Sequence, residues 1–192
     1  MSHSIIKKYI PRKYFGFFPA VGIFGGAKCS EMSELYDLAY KVSNHFALLG
    51  NSIITGGGGG VMEAANKAAA LQNQCSIGIG VKNFEQEFNK FCSPGLTFKA
   101  DNFSERKMLM VHLSKAFVFL PGGFGTLDEL FEVLVLLRTK SISGSPLFLV
   151  NSDFWLPLLS WLKSSVKRNR FIEEKDLNYI KLIDKIDDSN LD

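Results

Sequence analysis

The sequence predicts an α/β fold in which a doubly wound, mainly parallel sheet of about seven strands is flanked by helices. Short apolar runs alternate along the chain with segments whose apolar residues have helical spacing. The runs are continuously apolar, as expected for strands buried on both faces of a parallel sheet. Glycines follow three of them, at the strand ends where such sheets bind ligands. Together these patterns favour an open, doubly wound sheet.

The first nineteen residues are predicted to be irregular, because Pro11 and Gly16 interrupt them. The strands that follow are predicted at Ala20–Phe24, Ser52–Thr55, Ser76–Val81, Leu96–Phe98, Ala116–Leu120 and Leu147–Val150, with a further edge strand at Tyr179–Ile183. The helices between them are predicted at Glu31–Leu49, Val61–Leu71, Phe103–Ser114, Thr126–Arg138 and Phe154–Lys167.

Length and composition indicate one domain over residues 1–192, since 192 residues with 46% hydrophobic content suit a single core. The net charge of +3 suits a small phosphorylated ligand better than nucleic acid. Cys29, Cys75 and Cys92 lack metal-ligand spacing, so we expect no metal site and no disulfide framework. We find no signal-peptide core and no apolar run of about 20 residues, so we expect a cytoplasmic protein without membrane contact.

Five consecutive glycines, Gly56 to Gly60, precede the second predicted helix. A helix N-terminus carries free N–H groups and partial positive charge, so this junction is a candidate phosphate cradle. Neither the dinucleotide fingerprint nor a Walker A loop fits the spacing, which favours a mononucleotide-sized ligand. For the earlier pair Gly25-Gly26, a tight turn alone remains an alternative.

The stretch FLPGGFGTLDELFEV joins a strand to a helix that we expect to begin at Thr126, whose hydroxyl marks either an anion-binding corner or a simple cap. Helical spacing places an apolar stripe on one side and Glu129 and Glu132 on the other. Apolar neighbours of these acids, such as Leu136, indicate an enclosed site or subunit interface. Alternatively, the early acids only complement the helix dipole. The predicted apolar stripe comprises Leu127, Leu130, Phe131, Leu134 and Leu137.

A basic pair, Arg106-Lys107, lies near the start of the preceding helix, where it opposes the helix dipole and so suggests a functional use. An exposed ion pair of this basic pair with Glu105 is the alternative.

Three segments together resemble the LOG (Lonely Guy) family of cytokinin riboside 5′-monophosphate phosphoribohydrolases and their bacterial relatives. They are TGGGGGVMEAAN, SERKMLM and PGGFGTLDELFE, and the resemblance covers about residues 20–183. It implies a modified Rossmann fold, a homodimer, and hydrolysis of a nucleoside 5′-monophosphate to free base and ribose 5-phosphate. AMP is the first substrate expected, because the segment EQEFN and the first nineteen residues are more similar to the bacterial branch.

The resemblance also implies roles for individual residues. The catalytic positions fall on Arg106 and Glu129, and no cofactor is implied. The nucleotide-binding positions fall on Gly57, Gly58, Gly60, Lys107, Gly122, Gly123, Gly125, Thr126 and Glu132 and, through a gapped alignment, on Glu85. A carboxylate near the ribose suits cleavage of the glycosidic bond, because the departing base leaves an oxocarbenium-like sugar.

Two other functions stay open at this point. One is a non-catalytic nucleotide or molybdenum-cofactor carrier of the same fold, against which Arg106 and Glu129 together favour an enzyme. The other is a DNA-binding module, for which the short basic-aromatic segment Arg168 to Phe171 offers little. A lysine decarboxylase would need a Schiff-base lysine for pyridoxal phosphate, and no motif places one.

Overall fold

The computed structural model describes residues 2–85, 87–142 and 144–184, which contain one sheet of seven parallel strands. In chain order the strands are β1 (Ala20–Phe24), β2 (Ile53–Thr55), β3 (Ser76–Val81), β4 (Thr97–Ala100), β5 (Ser114–Phe119), β6 (Leu147–Val150) and β7 (Ile180–Ile183). Their order across the sheet is β4-β3-β2-β1-β5-β6-β7. The predicted fold class is therefore confirmed.

Helices flank this sheet on both faces. In chain order they are α1 (Ser2–Tyr9), α2 (Glu34–Leu48), α3 (Val61–Leu71), α4 (Phe103–His112), α5 (Phe124–Arg138), α6 (Ser152–Trp161), which continues as a π-helical turn over Leu162–Lys167, and α7 (Glu174–Leu177). None of the helices in the described part of the chain has the length and hydrophobicity to cross a bilayer.

Strand β1 is the topological centre of the sheet. Val21 pairs with Ile53 of β2 on one side and with Ala116 of β5 on the other. The chain builds outward from β1 in one direction through β4, then returns and builds in the other direction from β5. The loops after β1 and β5 therefore diverge at the switch point, where doubly wound sheets bind their ligands.

Two apolar clusters cover the two faces of the sheet. Phe117 and Phe119 of β5 pack into one cluster with Met110 of α4, whereas the intervening Val118 packs into the other, which includes Val61 of α3. All three strand residues are fully buried. This burial on both faces explains why the strands are continuously apolar in sequence.

The N-terminal segment differs from the prediction of an irregular start. Helix α1 is followed by a 3-10 helix over Arg12–Phe17, so Pro11 separates two helices. Lys8 Nζ lies 2.7 Å from Asp101 Oδ2 and 3.1 Å from Glu105 Oε1, and the Tyr9 hydroxyl donates to the Glu105 carboxylate. The prediction was wrong because these contacts to the start of α4 are tertiary and leave no periodic signal in so short a segment.

Candidate active site

A cavity of about 390 Å³ opens at the switch point, at the carboxyl ends of β1, β2 and β5. Its volume falls in the range typical of small-molecule sites. Loops after four strands, β1, β2, β3 and β5, and the helices α3, α4 and α5 contribute to its wall. The residues that line it are Ile23, Phe24, Gly25, Gly26, Ala27, Lys28, Gly56, Met62, Phe84, Phe103, Arg106, Met110, Gly123, Gly125, Thr126 and Glu129.

The N-terminus of α5 supplies a corner of backbone amides to this cavity. The helix begins at Phe124, two residues before the predicted start, and no side chain caps it at Gly123. The amides of the first turn have no carbonyl partner within the helix, and Gly123, Gly125 and Thr126 line the cavity. Thr126 lies in the first turn and is buried, so it does not act as the cap. This corner is suited to an anion.

Gly122 lies directly behind the amide corner. A Cβ atom there would approach Thr126 Oγ1 to 2.2 Å and the Gly26 backbone nitrogen to 3.0 Å. Gly26 in turn donates its N–H to the Pro121 carbonyl over 3.0 Å. Only glycine lets the loops after β1 and β5 approach this closely, which explains the PGG sequence without any direct ligand contact by Gly122.

The five-glycine loop contributes only Gly56 to the cavity lining. Gly57 and Gly58 are buried behind it. The side-chain Nδ2 of Asn89 donates to the Gly58 carbonyl over 2.9 Å, and the backbone N–H of Asn89 donates to the Gly57 carbonyl over 2.8 Å. A Cβ on Gly57 would meet the Phe88 ring at 2.3 Å. At Gly57 and Gly58 the loop is therefore contacted by Phe88 and Asn89 of the protein itself.

Gly60 is required by the backbone. It has φ of +61°, and a Cβ there would lie 2.5 Å from the Gly26 carbonyl oxygen. That carbonyl accepts the N–H of Val61, the first residue of α3, over 3.0 Å. The first amide of α3 is therefore used inside the protein, which leaves the start of α5 as the more open anion corner.

Arg106 and Glu129 form the charged centre of the cavity. Arg106 Nη2 lies 2.6 Å from Glu129 Oε1, and the two side chains are only 14% and 10% exposed. The alternative partner for Arg106, Glu105, instead binds Lys8 and Tyr9. Arg106 Nε is buried and has no hydrogen-bond partner among the described residues. A buried guanidinium with a free donor, beside a buried carboxylate, is a feature that a bound polar ligand would complete.

The protonation of Glu129 is set by two opposing effects. Burial raises the pKa of Glu129 above its ordinary value because a charged carboxylate is poorly solvated there, and the Arg106 charge and hydrogen bond pull the pKa back down. The net direction is upward. An upward shift makes a carboxyl a stronger base once it is ionised, which favours a role in acid–base catalysis.

Helix α5 buries a wider face than its periodicity predicted, and this face includes Glu129. The predicted apolar stripe included Phe131, which is 38% exposed, and placed Glu129 on the opposite side. The observed buried face consists of Thr126, Glu129, Leu130, Val133 and Leu137. Leu127, Leu130, Leu134 and Leu137 of the predicted stripe do pack into the core, so the prediction was wrong only for Phe131 and for the side on which Glu129 lies. The reason is that α5 is apolar on nearly every side, so hydrophobicity alone does not define its inner face.

Other predicted site residues lie outside the cavity lining. Lys107 Nζ lies 2.8 Å from Asp128 Oδ2 and 2.7 Å from Glu132 Oε2, so Lys107 and Glu132 bind one another beside the Arg106–Glu129 pair. Glu85 is exposed on the loop after β3, and its neighbour Phe84 is the residue that reaches the cavity. The nucleotide contacts expected of Lys107, Glu132 and Glu85 stay predictions.

Lys28, Phe84 and Phe103 line the cavity but were not singled out from the sequence. Lys28 follows Gly25-Gly26 after β1, so the rule that loops at strand ends bind ligands could have identified it. Phe84 lies in the loop after β3 and Phe103 is the first residue of α4, and nothing in the sequence indicates that they meet. No cluster of three or more potential metal ligands forms within residues 2–85, 87–142 and 144–184, and the three cysteines are free thiols.

The sequence model of one protein family, described as "Possible lysine decarboxylase", matches residues 62–189, well over half of the chain. The chain belongs to this family, the LOG family. The resemblance noted from the three motifs is thereby confirmed. The LOG relatives of this chain include a cytokinin riboside 5′-monophosphate phosphoribohydrolase of Arabidopsis thaliana, which is 29% identical over 152 residues. The match covers 78% of this chain and 70% of the relative. An uncharacterized protein of Archaeoglobus fulgidus is 33% identical over 110 residues, 57% of this chain and 70% of the relative.

Solved structures similar to this LOG chain show the same fold. The molybdenum cofactor binding protein of Rippkaea orientalis superposes with a TM-score of 0.64 at 23% identity, covering 86% of this chain and 88% of that one. The molybdenum cofactor carrier protein of Chlamydomonas reinhardtii gives a TM-score of 0.62 at 19% identity, covering 90% and 92%. At these identities the likeness concerns the architecture alone.

Proposed function

We propose that this LOG protein hydrolyses the N-glycosidic bond of a nucleoside 5′-monophosphate, releasing the free base and ribose 5-phosphate. The observation that carries the proposal is the buried Arg106–Glu129 pair, which lines the same cavity as the uncapped N-terminus of α5. Relatives that bear the name of this activity support it.

In the proposed reaction, the bond between C1′ of the ribose and the base nitrogen breaks, and the base leaves with the electron pair. The sugar becomes oxocarbenium-like, and the Glu129 carboxylate stabilises its positive charge. Glu129 also takes a proton from the attacking water, whose hydroxyl adds to C1′. The departing base takes a proton from solvent, and Glu129 releases its own proton to solvent, which restores the ionised carboxylate. Arg106 holds the carboxylate in place and donates its remaining N–H groups to the ribose or phosphate.

The 5′-phosphate binds at the corner formed by the first-turn amides of α5. The helix dipole and the free N–H groups near Gly125 and Thr126 favour an anion there, and the exposed amine of Lys28 lies on the same cavity wall. A phosphate held at one end of the cavity places the sugar next to Glu129. We propose AMP as the first substrate and a cytokinin riboside 5′-monophosphate as the second, acted on in the cytoplasm.

A non-catalytic nucleotide or molybdenum-cofactor carrier is the second candidate function. It is favoured by the two similar folds whose names describe molybdenum cofactor binding and carriage. Burial of the Glu129 carboxylate costs folding free energy. A hydrolase needs the buried carboxylate for its chemistry, whereas a carrier gains nothing from it. The hydrolase is therefore the first candidate.

The two functions are separated by incubating purified protein with AMP, GMP, CMP, UMP and a cytokinin riboside monophosphate. Release of free base and ribose 5-phosphate is measured by chromatography, with adenosine as the control that lacks the phosphate. The proposal requires turnover of at least one monophosphate and much weaker turnover of adenosine. Tight nucleotide binding with no base release from any of them would favour the carrier.

We also propose that the protein is a homodimer. Helix α5 exposes Phe124, Phe131 and Val135 at 92%, 38% and 57%, a run of apolar side chains that a single copy leaves in water. A second copy could cover this face through a two-fold axis. Light scattering would contradict the proposal if it gave the mass of one chain at micromolar concentration.

A further inference from the structure

Two aromatic side chains stand at the edge of the cavity without a core to pack into. Phe84 comes from the loop after β3 and Phe103 is the first residue of α4, yet their ring centroids lie 5.2 Å apart with the ring planes at 77°. Both line the cavity, and they remain 46% and 49% exposed. Half-exposed phenylalanine side chains leave apolar area in water, which a flat apolar ligand group could cover.

The aromatic pair is connected to the charged centre by a series of side-chain contacts. Glu129 contacts Arg106, the Arg106 guanidinium carbon lies 5.5 Å from the Phe103 ring centroid, and Phe103 contacts Phe84. At the other end, Glu129 belongs to the same helix as the amide corner at Thr126. The chain of contacts therefore runs from the anion corner through the carboxylate and the guanidinium to the aromatic pair.

A nucleoside monophosphate has the matching order of phosphate, ribose and base. We propose that Phe84 and Phe103 form the base-binding platform of the site and select purine over pyrimidine nucleotides. Every base can stack through its π-face, but a purine has two fused rings and covers more of the apolar surface of this pair than a pyrimidine does. The 77° angle lets a base lie against the face of one ring while it meets the other ring edge-on. This inference rests on the proposed nucleotide substrate and assigns the part of the site that contacts its base.

The test compares Phe84→Leu and Phe103→Leu with wild type, because leucine keeps the apolar volume and removes the ring. Steady-state assays give kcat and KM for AMP and UMP, and calorimetry gives Kd for AMP and for ribose 5-phosphate. Phe171→Leu is the matched control, since Phe171 is 72% exposed and lies outside the cavity lining. Phe103→Tyr, which keeps the aromatic face, is the rescue variant.

We expect each leucine variant to raise the KM and Kd for AMP about tenfold, the size expected for one lost base–aromatic contact. The Kd for ribose 5-phosphate should stay unchanged, the preference for AMP over UMP should shrink, and Phe103→Tyr should restore AMP binding. An unchanged AMP affinity in both leucine variants would overturn the inference. So would a loss of ribose 5-phosphate binding as large as the loss for AMP, because the rings would then only support Arg106.

The calorimetric arm separates this inference from the proposed reaction. If wild type binds AMP but releases no base, the hydrolase proposal fails, and a weaker AMP affinity of Phe84→Leu still supports the platform. If wild type hydrolyses AMP and Phe84→Leu binds it equally well, the platform fails and the reaction stands. Phe84 is the cleaner of the two positions, because only Phe103 has a ring contact to the Arg106 guanidinium among the described residues.

Discussion

Replacing Glu129 by glutamine changes one atom of the proposed catalytic carboxylate and removes its charge. Glutamine keeps Oε1, which can still accept the hydrogen bond that Arg106 Nη2 now donates over 2.6 Å. The fold and the phosphate corner should therefore persist. The variant loses the negative charge that would face the sugar, and it loses the basic oxygen that would accept a proton from water.

The expected loss is large for turnover and small for stability. A positioned acid–base group contributes about 100- to 10,000-fold, so we expect kcat to fall about 1,000-fold, or about 4 kcal/mol in the barrier. Breaking a fully buried ion pair costs about 3–5 kcal/mol. The Arg106–Glu129 pair lines an open cavity and keeps a hydrogen bond, so we expect about 1–2 kcal/mol here.

Turnover is measured as ribose 5-phosphate released from saturating AMP, binding by calorimetry and stability by urea unfolding. Asp128→Asn is the matched control, because it makes the same chemical change at the next residue, whose side chain is 62% exposed and contacts Lys107 instead. The control should keep kcat within roughly twofold of wild type. If Glu129→Gln kept more than about a tenth of wild-type turnover, the assigned role would be refuted.

Three further predictions concern the charged pair, the glycine loop and the phosphate corner. The wild-type kcat/KM should fall as pH drops through the raised pKa of Glu129, since the ionised form is the active one. Arg106→Ala should lower kcat/KM about 100-fold. It should also move the fall of kcat/KM at low pH to higher pH, because the cation that lowers the pKa of Glu129 is gone. A pH–rate profile that did not move would contradict this. Gly60→Ala should destabilise the fold by about 2 kcal/mol in urea, because φ is +61° and the Cβ would meet the Gly26 oxygen at 2.5 Å. Gly59→Ala is its control, with a nearest contact of 3.4 Å, and equal effects of the two would refute the reasoning. Lys28→Met should raise the KM for AMP about tenfold with kcat unchanged, as for a lost charge-assisted contact to phosphate; a lower kcat at constant KM would exclude a phosphate-binding role.

Much of the fold could be predicted because buried parallel strands are continuously apolar. The predicted bounds of β1, β3, β6 and α3 agree with those of the structure, since glycines or polar residues mark their ends. Helix starts were less accurate. Ser33 caps α2 by accepting the Tyr36 N–H over 3.2 Å, although a start at Glu31 was predicted, and α5 begins without any side-chain cap. Capping depends on local geometry that residue type alone does not determine.

The pairing of Arg106 with Glu129 could not be predicted from periodicity. The two residues lie 23 positions apart on different helices. Arg106 also has an acidic residue directly beside it in sequence, Glu105. Which pair forms depends on how α4 and α5 cross the end of the sheet, and on α1, which binds Glu105 through Lys8 and Tyr9. The resemblance to the LOG family identified the two residues, because motif identity carries tertiary information that hydrophobic spacing does not.

The burial of Glu129 is the point at which local rules and tertiary structure disagree, and the disagreement itself supports a functional site. On α5, Val135 and Phe131 remain partly exposed while a glutamate takes a place on the inner face with Leu130 and Val133. An apolar residue at position 129 would avoid the desolvation of a carboxylate, and buried ion pairs are often no more stable than apolar replacements. Stability alone therefore does not explain why this position is acidic. Sequences that fold well tend to break such rules where chemistry requires it. The proposed role of Glu129 at the ribose supplies that requirement, because a carboxylate can act on C1′ only if it lies inside the cavity that binds the sugar.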